Sequence, residues 1–376
     1  MNRIYQTIII GAGPAGLIAG RHLKDSLILD QKQEIGKPVQ CGEGISRDAL
    51  KIHNIEPDSS WISCDIHRVE RIMPNGKRIG KFHKEAIGYI LDRTAFEKFL
   101  ASTVKAEIKL KSKVVDLNKE NNIWCVKTQN GEIFKSKYII GADGPNSIVR
   151  EKVFKERIKI LPAVEYLLEL EKEIKVDTLE IYLNNEKYPQ GYAWIFPKSR
   201  NTANIGIGGQ GDLLEKFREF LEEEVRIKYQ NYKILENRSG VVPFAKPSTI
   251  IKDGVLLVGD AAGFTNSVFK AGISRAMWSA RICSQLILDN DISSHKHKTR
   301  VILFTGSKLD RAGSILYAFS NESLNELGGF LENKNASYYK NILVIMKMLF
   351  SHSLRKDILK MFEFISIWKK YKKYSW

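Results

Sequence analysis

The sequence contains few cysteines and no long apolar run. Its 376 residues include four cysteines, widely separated and without a C-x-x-C pair. This spacing gives no sign of a disulfide framework or a zinc site. No run reaches the ~20 consecutive apolar residues of a membrane-spanning helix. The apolar stretch at residues 7–10 is strand-length and leads into glycines, so we expect no signal peptide and a reducing, cytoplasmic location.

Acidic residues are outnumbered by basic ones. The chain has 59 lysines and arginines against 43 aspartates and glutamates, a net charge of +16. Such an excess favours nucleic acid, acidic lipid headgroups or phosphorylated substrates as partners. No nucleic-acid-binding module accompanies the charge, so we expect no nucleic acid partner. The apolar content of 43% is enough for a large core without disulfides.

The first thirty residues predict a strand, a turn, a helix and a second strand. The turn reads Gly11-x-Gly13-x-x-Gly16, the dinucleotide-binding fingerprint. Gly11 permits the tight turn, Gly13 lets the backbone approach a pyrophosphate, and Gly16 lets the helix pack closely on the strand. Asp30 ends the second strand, where a carboxylate can accept hydrogen bonds from ribose hydroxyls. An acid there favours FAD or NAD.

Two later turns decide between FAD and NAD. Gly141-Ala-Asp-Gly-Pro-Asn-Ser147 and Gly259-Asp-Ala-Ala-Gly263 each follow a short apolar strand, and Gly272-Ile273 follows the second turn. An aspartate at a strand end can reach a ribityl chain, and a helix N-terminus can offer N–H groups to a flavin carbonyl. Each segment alone is an ordinary Asp-Gly turn. The three glycine turns in this order favour FAD.

Six segments of the chain resemble a known family. They are Gly11–Gly16, Pro38-Val-Gln-Cys-Gly-Glu-Gly-Ile-Ser46, Leu91-Asp-Arg-Thr94, Gly141–Ser147, Gly191-Tyr-Ala-Trp-Ile-Phe-Pro-Lys198 and Gly259–Ile273. Over residues 1–290 the sequence resembles the FAD-dependent oxidoreductases with the p-hydroxybenzoate hydroxylase fold, and within them the geranylgeranyl reductase family. The implied fold class is α/β, with a Rossmann-like FAD-binding domain, an antiparallel substrate-domain sheet and a helical C-terminal cap.

The resemblance also implies domain boundaries. The FAD-binding domain is expected at 1–160, with 61–90 contributing to the substrate domain. The substrate domain is expected at 161–250, and the FAD-binding domain returns at 251–290. A basic helical region follows at 291–376, and residues 289–300 are typical of a linker.

The FAD-binding residues implied by the resemblance run from the adenosine to the isoalloxazine end, and no metal site is implied. Besides the fingerprint glycines they are Ala15 and Asp30 at adenosine, Val114 at adenine through its backbone, Arg93 at the ribityl or pyrophosphate region, Asp260 at the ribityl or phosphate, Cys41, Gly42 and Gly44 along the flavin, and Gly272 and Ile273 at the isoalloxazine.

Cys41 is the candidate catalytic residue, because the resemblance puts this thiol beside the flavin. An ordinary thiol pKa of ~8.5 keeps it mostly protonated at neutral pH, as a proton donor requires. A gate for flavin motion and a small buried filler are the alternatives.

Three aromatic residues alternate along one predicted strand: Tyr192, Trp194 and Phe196. Alternation places them on one face. That face suits a plain sheet core and, equally, the wall of an apolar tunnel that binds an isoprenoid substrate.

Two further segments bear on cofactor chemistry. Gly206-x-Gly208-Gly-x-Gly211 lies in the antiparallel region without a βαβ unit, so we reject it as a second nucleotide fingerprint. After Asn266 the family pattern Pro-x-x-Gly-Glu-Gly-Ile is replaced, with Ser267, Lys270 and Ala271 at the equivalent positions. A lysine there can stabilise the negative charge of reduced flavin or point into solvent.

The C-terminal residues 339–376 contain nine lysines and arginines and two acids. Basic residues interleaved with aromatics suit an anionic membrane surface. The alternative is a helix packed on the body with a solvated lysine tail. The predicted apolar face of the helix consists of Leu354, Ile358, Met361, Phe362, Ile365 and Trp368.

We therefore expect an FAD-dependent reductase that saturates C=C bonds of an isoprenoid chain in lipid or prenyl metabolism. Its electron donor is expected to be NAD(P)H or a ferredoxin, and its location the cytoplasm with peripheral contact to the inner face of the cell membrane. A flavin monooxygenase or halogenase acting on an aromatic compound is the first alternative. A membrane-bound electron carrier is the second, and the absence of an iron–sulfur cysteine cluster weighs against it.

Overall fold

The structure is a computed structural model that describes residues 3–244, 249–292, 295–332 and 352–371. Residues 339–351 and 372–376 of the predicted basic C-terminal region lie outside these ranges. Among the described residues, no helix is both long and apolar enough to span a bilayer.

The described part of the chain contains runs of consecutive strands separated by single helices, and it is helical from Ile273 onward. The strands are β1 (Ile4–Ile10), β2 (Ser26–Leu29), β3 (Gly44–Ser46), β4 (Ile62–Ile66), β5 (Arg68–Ile72), β6 (Arg78–Ile79), β7 (Gly88–Leu91), β8 (Glu107–Lys109), β9 (Val114–Glu120), β10 (Ile123–Thr128), β11 (Ile133–Gly141), β12 (Ile160–Leu170), β13 (Thr178–Tyr182), β14 (Tyr192–Pro197), β15 (Thr202–Gly208), β16 (Tyr232–Pro243), β17 (Ile251–Lys252) and β18 (Val255–Leu257). The α-helices are α1 (Pro14–His22), α2 (Arg47–Ile52), α3 (Arg93–Ser102), α4 (Leu213–Phe220), α5 (Ile227–Tyr229), α6 (Ile273–Leu288), α7 (His295–Tyr317), α8 (Asn321–Glu332), α9 (His352–Arg355) and α10 (Ile358–Tyr371).

The first sheet has eight strands and carries the predicted glycine turns. Its main order is β17-β18-β11-β1-β2-β8, and β1 is parallel to both β2 and β11. The strand β18, which comes late in the chain, lies parallel to β11. The strands β10 and β11 of this sheet pair antiparallel across a turn at Asn130-Gly131.

The second sheet has seven strands in the order β16-β12-β15-β14-β13-β5-β6. Its pairs are antiparallel except for β13 with β5. A third, three-stranded sheet has the order β3-β7-β4. The predicted α/β fold class is confirmed: the first sheet has parallel strands β2, β1, β11 and β18 at its centre, and the second sheet is mainly antiparallel.

Helices cover the faces of both large sheets. The core on one face of the first sheet includes buried residues of α1, α3 and α6. On one face of the second sheet, α4 buries Leu213, Phe217 and Phe220. On its other face, residues of α7, α8 and α10 form a core with Tyr192 and Trp194.

The predicted linker at 289–300 is wrong from His295 onward, because α7 begins there. The segment lacks glycine and proline until Gly306, and Leu309, Ala312 and Leu316 then repeat at helical spacing and are buried. The lysines that indicated a linker lie in the first turns of this helix.

The apolar face of the C-terminal helix differs from the prediction at one residue. Ile358, Met361 and Ile365 are buried as expected, but Phe362 is 39% exposed and Phe364 is buried instead. Position 362 lies about 100° around the helix from 361, away from the buried side.

Candidate functional site

The three glycine turns meet at one edge of the parallel sheet. Ile10 pairs with Gly141, and Gly141 pairs with Leu257, so the strands β1, β11 and β18 end side by side. Gly11 has a φ of +105°, and a Cβ there would lie 2.7 Å from the carbonyl carbon of Ala142. The turns therefore pack directly against one another, which a larger residue at Gly11 would prevent.

Gly13 and Gly16 play the two different parts that the fingerprint predicts. A Cβ at Gly16 would overlap the carbonyl oxygen of Gly11, so the close approach of helix to turn requires glycine. A Cβ at Gly13 would have no atom within 4 Å. Gly13 also lines the main cavity, so open space lies in front of the turn where a phosphate would approach.

A cavity of about 300 Å³ separates these turns from the second sheet. The first sheet and its helices contribute Gly13, Ala15, Arg93, Asp260, Gly272 and Ile273. The second sheet contributes Glu165, Tyr192, Trp194 and Phe196, and the loop before β3 contributes Cys41 and Gly42.

Two helices start at this cavity without a side-chain cap. The helix α1 begins at Pro14 after Gly13, and α6 begins at Ile273 after Gly272. Uncapped N-termini carry free N–H groups and partial positive charge, which suit a pyrophosphate and a flavin carbonyl. The residues present therefore fit FAD.

Asp30 and Val114 lie beside the first turn rather than in the cavity wall. The Asp30 carboxylate accepts hydrogen bonds from the amides of Ala12 and of Lys32, the latter at 2.7 Å. The Ser112 amide donates to the Asp30 carbonyl at 2.8 Å, which brings the start of β9 alongside. Of the predicted flavin-lining residues, Gly44 does not line the cavity and pairs with Ile90 in the third sheet.

Arg93 and Asp260 both line the cavity on its FAD-binding side. Arg93 is the first residue of α3, which the Asp92 side chain caps, and its Nε lies 2.7 Å from Glu97. Asp260 accepts a hydrogen bond from the Thr265 hydroxyl at 3.1 Å. Burial raises the pKa of Asp260, whereas Thr265 and Arg93 lower it.

The Cys41 thiol belongs to the loop before β3, where that loop lines the cavity. Its Sγ accepts a hydrogen bond from the Glu43 amide at 3.2 Å. Burial raises the pKa of the thiol above its ordinary value, while the Arg93 guanidinium opposes that shift. Cys41 therefore holds its proton at neutral pH.

The three predicted aromatics form one wall of the cavity. The ring centroids of Tyr192 and Trp194 are 5.8 Å apart, and those of Trp194 and Phe196 are 6.2 Å apart. The Tyr192 hydroxyl donates to the carbonyl of Phe269. A Cβ at Gly206 would lie 2.6 Å from the Val164 carbonyl and closer still to the Trp194 indole. Gly206 therefore makes room for Trp194, in keeping with the rejection of a second nucleotide fingerprint.

A buried polar network behind this wall was missed by the sequence analysis. Arg238 Nη1 lies 3.4 Å from carboxylates of both Glu43 and Glu165. Glu43 also lies 3.0 Å from Lys198 Nζ, and it accepts a hydrogen bond from Asn204 at 2.6 Å. One signal was present: Glu43 stands inside the glycine-rich Cys41 loop.

Glu165 and Arg238 are the members of this network that line the cavity. The Glu165 Oε2 accepts a hydrogen bond from Trp194 Nε1 at 3.2 Å. Burial raises the pKa of Glu165 to about 7; Arg238 lowers this pKa and Glu43 raises it. The cavity therefore has a second group that can hold a proton near neutral pH.

Lys270 lines the cavity and is partly buried. Its Nζ donates to the Ser267 carbonyl at 2.9 Å and lies 4.5 Å from the ring centre of Tyr317 and 4.9 Å from that of Phe244. The ammonium group of Lys270 therefore contacts protein groups beside the cavity.

Comparisons with known proteins agree on one family. The family model for the geranylgeranyl reductase catalytic domain matches residues 159–242. The digeranylgeranylglycerophospholipid reductase of Methanosarcina acetivorans is 32% identical, over 88% of this chain and 89% of that protein.

Solved structures share the fold at lower identity. A geranylgeranyl bacteriochlorophyll reductase-like protein from Thermoplasma acidophilum has a TM-score of 0.79 and 24% identity, with all of both chains covered. The halogenase PltM has a TM-score of 0.69 and 18% identity over 94% of this chain and 85% of that chain. The extent of the sequence match, rather than the shared fold, separates these relatives. This chain belongs to the geranylgeranyl reductase family of FAD-dependent oxidoreductases.

Proposed function

We propose that this protein saturates C=C bonds in the geranylgeranyl chains of a glycerophospholipid, using reduced FAD. The observation that carries the proposal is the cavity between the glycine turns and the wall of Tyr192, Trp194 and Phe196. The name of the Methanosarcina acetivorans relative points to the same substrate.

The FAD placement that we propose follows the chain order of the turns. Gly13 lies at the pyrophosphate at the start of α1, Ala15 contacts the adenosine side, and Asp30 accepts hydrogen bonds from the ribose. Asp260 and Arg93 hold the middle of the cofactor, and the open start of α6 at Gly272 faces the isoalloxazine. This placement requires residues 1–160 and 251–290 to form one FAD-binding unit, and the pairing of β11 with β18 supports it.

When bound and reduced, FAD supplies a hydride to one carbon of the double bond. The other carbon takes a proton, so each saturation adds two hydrogen atoms. Because an isolated alkene is a poor hydride acceptor, protonation leads or accompanies the transfer. The thiol of Cys41 holds a proton at Sγ, and Glu165 holds a second one at its carboxyl group.

The aromatic wall orients the chain and excludes water. The faces of Trp194 and Phe196 can stabilise the cationic character that develops as the alkene is protonated. Tyr192 fixes the far end of the wall through its hydrogen bond to Phe269. An apolar wall also prevents water from reaching the reacting carbons.

Mass spectrometry tests the proposal. The dithionite-reduced holoprotein is incubated anaerobically with geranylgeranylated glycerophospholipids, and the lipids are then analysed. We expect a gain of two mass units for each bond reduced. No mass change across the panel would refute the proposal, and an oxygen-dependent product from an aromatic compound would favour the monooxygenase or halogenase alternative.

We also propose peripheral contact with an anionic membrane through the outer face of the C-terminal helices. This basic outer face consists of Arg355, Lys356, Leu359, Phe362, Lys369 and Lys370, all exposed. Leu359 is 81% exposed, and the surrounding positive charges complement acidic lipid headgroups. The lipid substrate would reach the cavity from such a surface.

The electron donor that we propose is NAD(P)H or a ferredoxin. The net charge of +16 would favour encounter with an acidic donor protein. Anaerobic reduction of the bound FAD by each donor, followed by visible absorption, distinguishes the two. Reduction by neither donor would exclude both.

A further inference from the structure

Lys270 has a backbone conformation that residues other than glycine rarely adopt. Its φ is +55°, in the left-handed region that favours glycine. The loop imposes this conformation, because the Lys270 amide donates to the Asn266 carbonyl at 2.7 Å and the Asn266 amide donates to Ala271 at 2.9 Å. Asn266 is fully buried. A residue that is strained at a functional cavity is a candidate for a role in function.

The ammonium group of Lys270 is held by aromatic faces instead of an acid. Its Nζ lies 4.5 Å from the ring centre of Tyr317 and 4.9 Å from that of Phe244. The Tyr317 ring is fixed by a hydrogen bond from its hydroxyl to the Val268 carbonyl at 2.6 Å. Among the described residues, no carboxylate forms an ion pair with Lys270. Asp310 interacts with it only electrostatically.

The position of Lys270 places a positively charged group in the cavity two residues before Gly272, which precedes α6. Lys270, Gly272 and Ile273 all line this cavity, and α6 begins there without a side-chain cap. The ammonium group and the helix N-terminus therefore act on the same region. Burial lowers the pKa of Lys270 to about 7, so an arriving negative charge would favour its protonated form.

We propose that Lys270 is an anion-binding residue of the cavity that stabilises the negatively charged reduced form of FAD. The inference rests on the FAD placement in the proposed function. Two electrons from the donor and one proton convert oxidised FAD to its reduced anion, which carries one more negative charge on the flavin ring than the oxidised form. The ammonium group of Lys270 compensates that charge, so it interacts more strongly with reduced FAD than with oxidised FAD.

The test is the midpoint potential of bound FAD, measured anaerobically against a reference dye at one pH. Lys270→Met removes the charge and keeps the stem, Lys270→Gly removes the charge and relieves the backbone, and Lys270→Arg keeps the charge. We expect both neutral variants to weaken binding of reduced relative to oxidised FAD about tenfold, which is a shift of about −30 mV for a two-electron couple. The arginine variant should stay close to the wild type.

A matched control and a second measurement keep the outcomes distinct. Lys233→Met removes an exposed charge on β16 and should leave the potential unchanged. The dissociation constants of oxidised and reduced FAD are also measured by titration. Their ratio compares the affinity for the two forms even in a variant that binds FAD weakly. An unchanged ratio in both neutral variants would overturn the inference.

The alternative anion for Lys270 is the phosphate of the proposed lipid substrate. If Lys270 bound that phosphate instead, the midpoint potential of the neutral variants would equal that of the wild type. Their KM would rise for phosphorylated but not for unphosphorylated geranylgeranyl substrates. That result would overturn the inference. A shifted potential in a protein that reduces no isoprenoid would uphold the role of Lys270 while refuting the proposed function.

Discussion

Two proton-holding groups, Cys41 and Glu165, face one cavity from different elements. Their pKa values are raised for the same physical reason, which is burial of a group that becomes negative when it loses its proton. Around Glu165, Arg238 is shared with the second buried carboxylate, Glu43. Arg238 also pairs with Glu236 at 2.8 Å, so its guanidinium is shared among three carboxylates and only partly offsets the effect of burial on Glu165.

Trp194 should report the titration of Glu165. Its indole donates to this carboxyl group, so its fluorescence should change with a midpoint near pH 7, and Glu165→Gln should remove this transition. The pKa of Glu165 in the folded protein lies above its unfolded value of ~4.3. The protonated carboxyl group therefore contributes to the free energy of unfolding below pH ~4.3, and this contribution is lost as the pH rises through about 7. The loss in the free energy of unfolding is on the order of 3 kcal/mol. A transition that persists in Glu165→Gln would contradict this assignment.

Gly206→Ala should destabilise the protein through Trp194. The new Cβ would lie 2.6 Å from the Val164 carbonyl and would also overlap the indole, so we expect a loss of about 2 kcal/mol in urea unfolding. Gly208→Ala is the matched control in the same strand, since its Cβ would meet no atom closer than 3.6 Å. Equal losses in both variants would show that strand propensity, rather than the space for Trp194, is responsible.

At the scale of elements, the N-termini of α1 and α6 give the cavity its anion-binding character. Neither helix has a side-chain cap, so their first N–H groups remain available to a ligand. The C-terminal helix has a different role, because its buried face packs against α7 while its basic outer face is exposed.

Gly13→Ala should separate folding from cofactor binding. A Cβ there meets no protein atom within 4 Å, so the unfolding free energy of the FAD-free protein should change by less than about 0.5 kcal/mol. The same Cβ occupies the space proposed for the pyrophosphate, so the Kd of FAD should rise at least about tenfold. Unchanged FAD affinity, measured by fluorescence titration, would refute the proposed phosphate position.

The double variant Leu359→Ser, Phe362→Ser should weaken binding to vesicles that contain anionic phospholipid. Removing two exposed apolar side chains should raise the Kd in a flotation assay about tenfold or more, and added salt should weaken the wild type as well. Ile227→Ser, which changes a residue that is 76% exposed elsewhere, is the control. Equal binding of all three proteins would place any membrane contact outside this face.

At the scale of the whole molecule, the function depends on two sheets that meet across a cavity. The glycine turns were predictable because each consists of a few adjacent residues. The aromatic wall was predictable from alternation along one strand. The network of Glu43, Glu165 and Arg238 was not predictable, because it joins residues up to 195 positions apart through the register of β12 and β16. The direction of the Lys270 side chain was not predictable either, because it depends on contacts with Tyr317 and Phe244, which are distant in the sequence.

The central claim is that reduced FAD in this cavity passes its electrons to an isoprenoid double bond. The most direct measurement is a single-turnover experiment without oxygen, in which the reduced holoprotein is mixed with a geranylgeranylated lipid. Visible absorption follows reoxidation of the FAD, and mass spectrometry counts the bonds saturated. We predict one saturated bond for each FAD reoxidised. Reoxidation that occurs only when oxygen is admitted, with the lipid unchanged, would contradict the account.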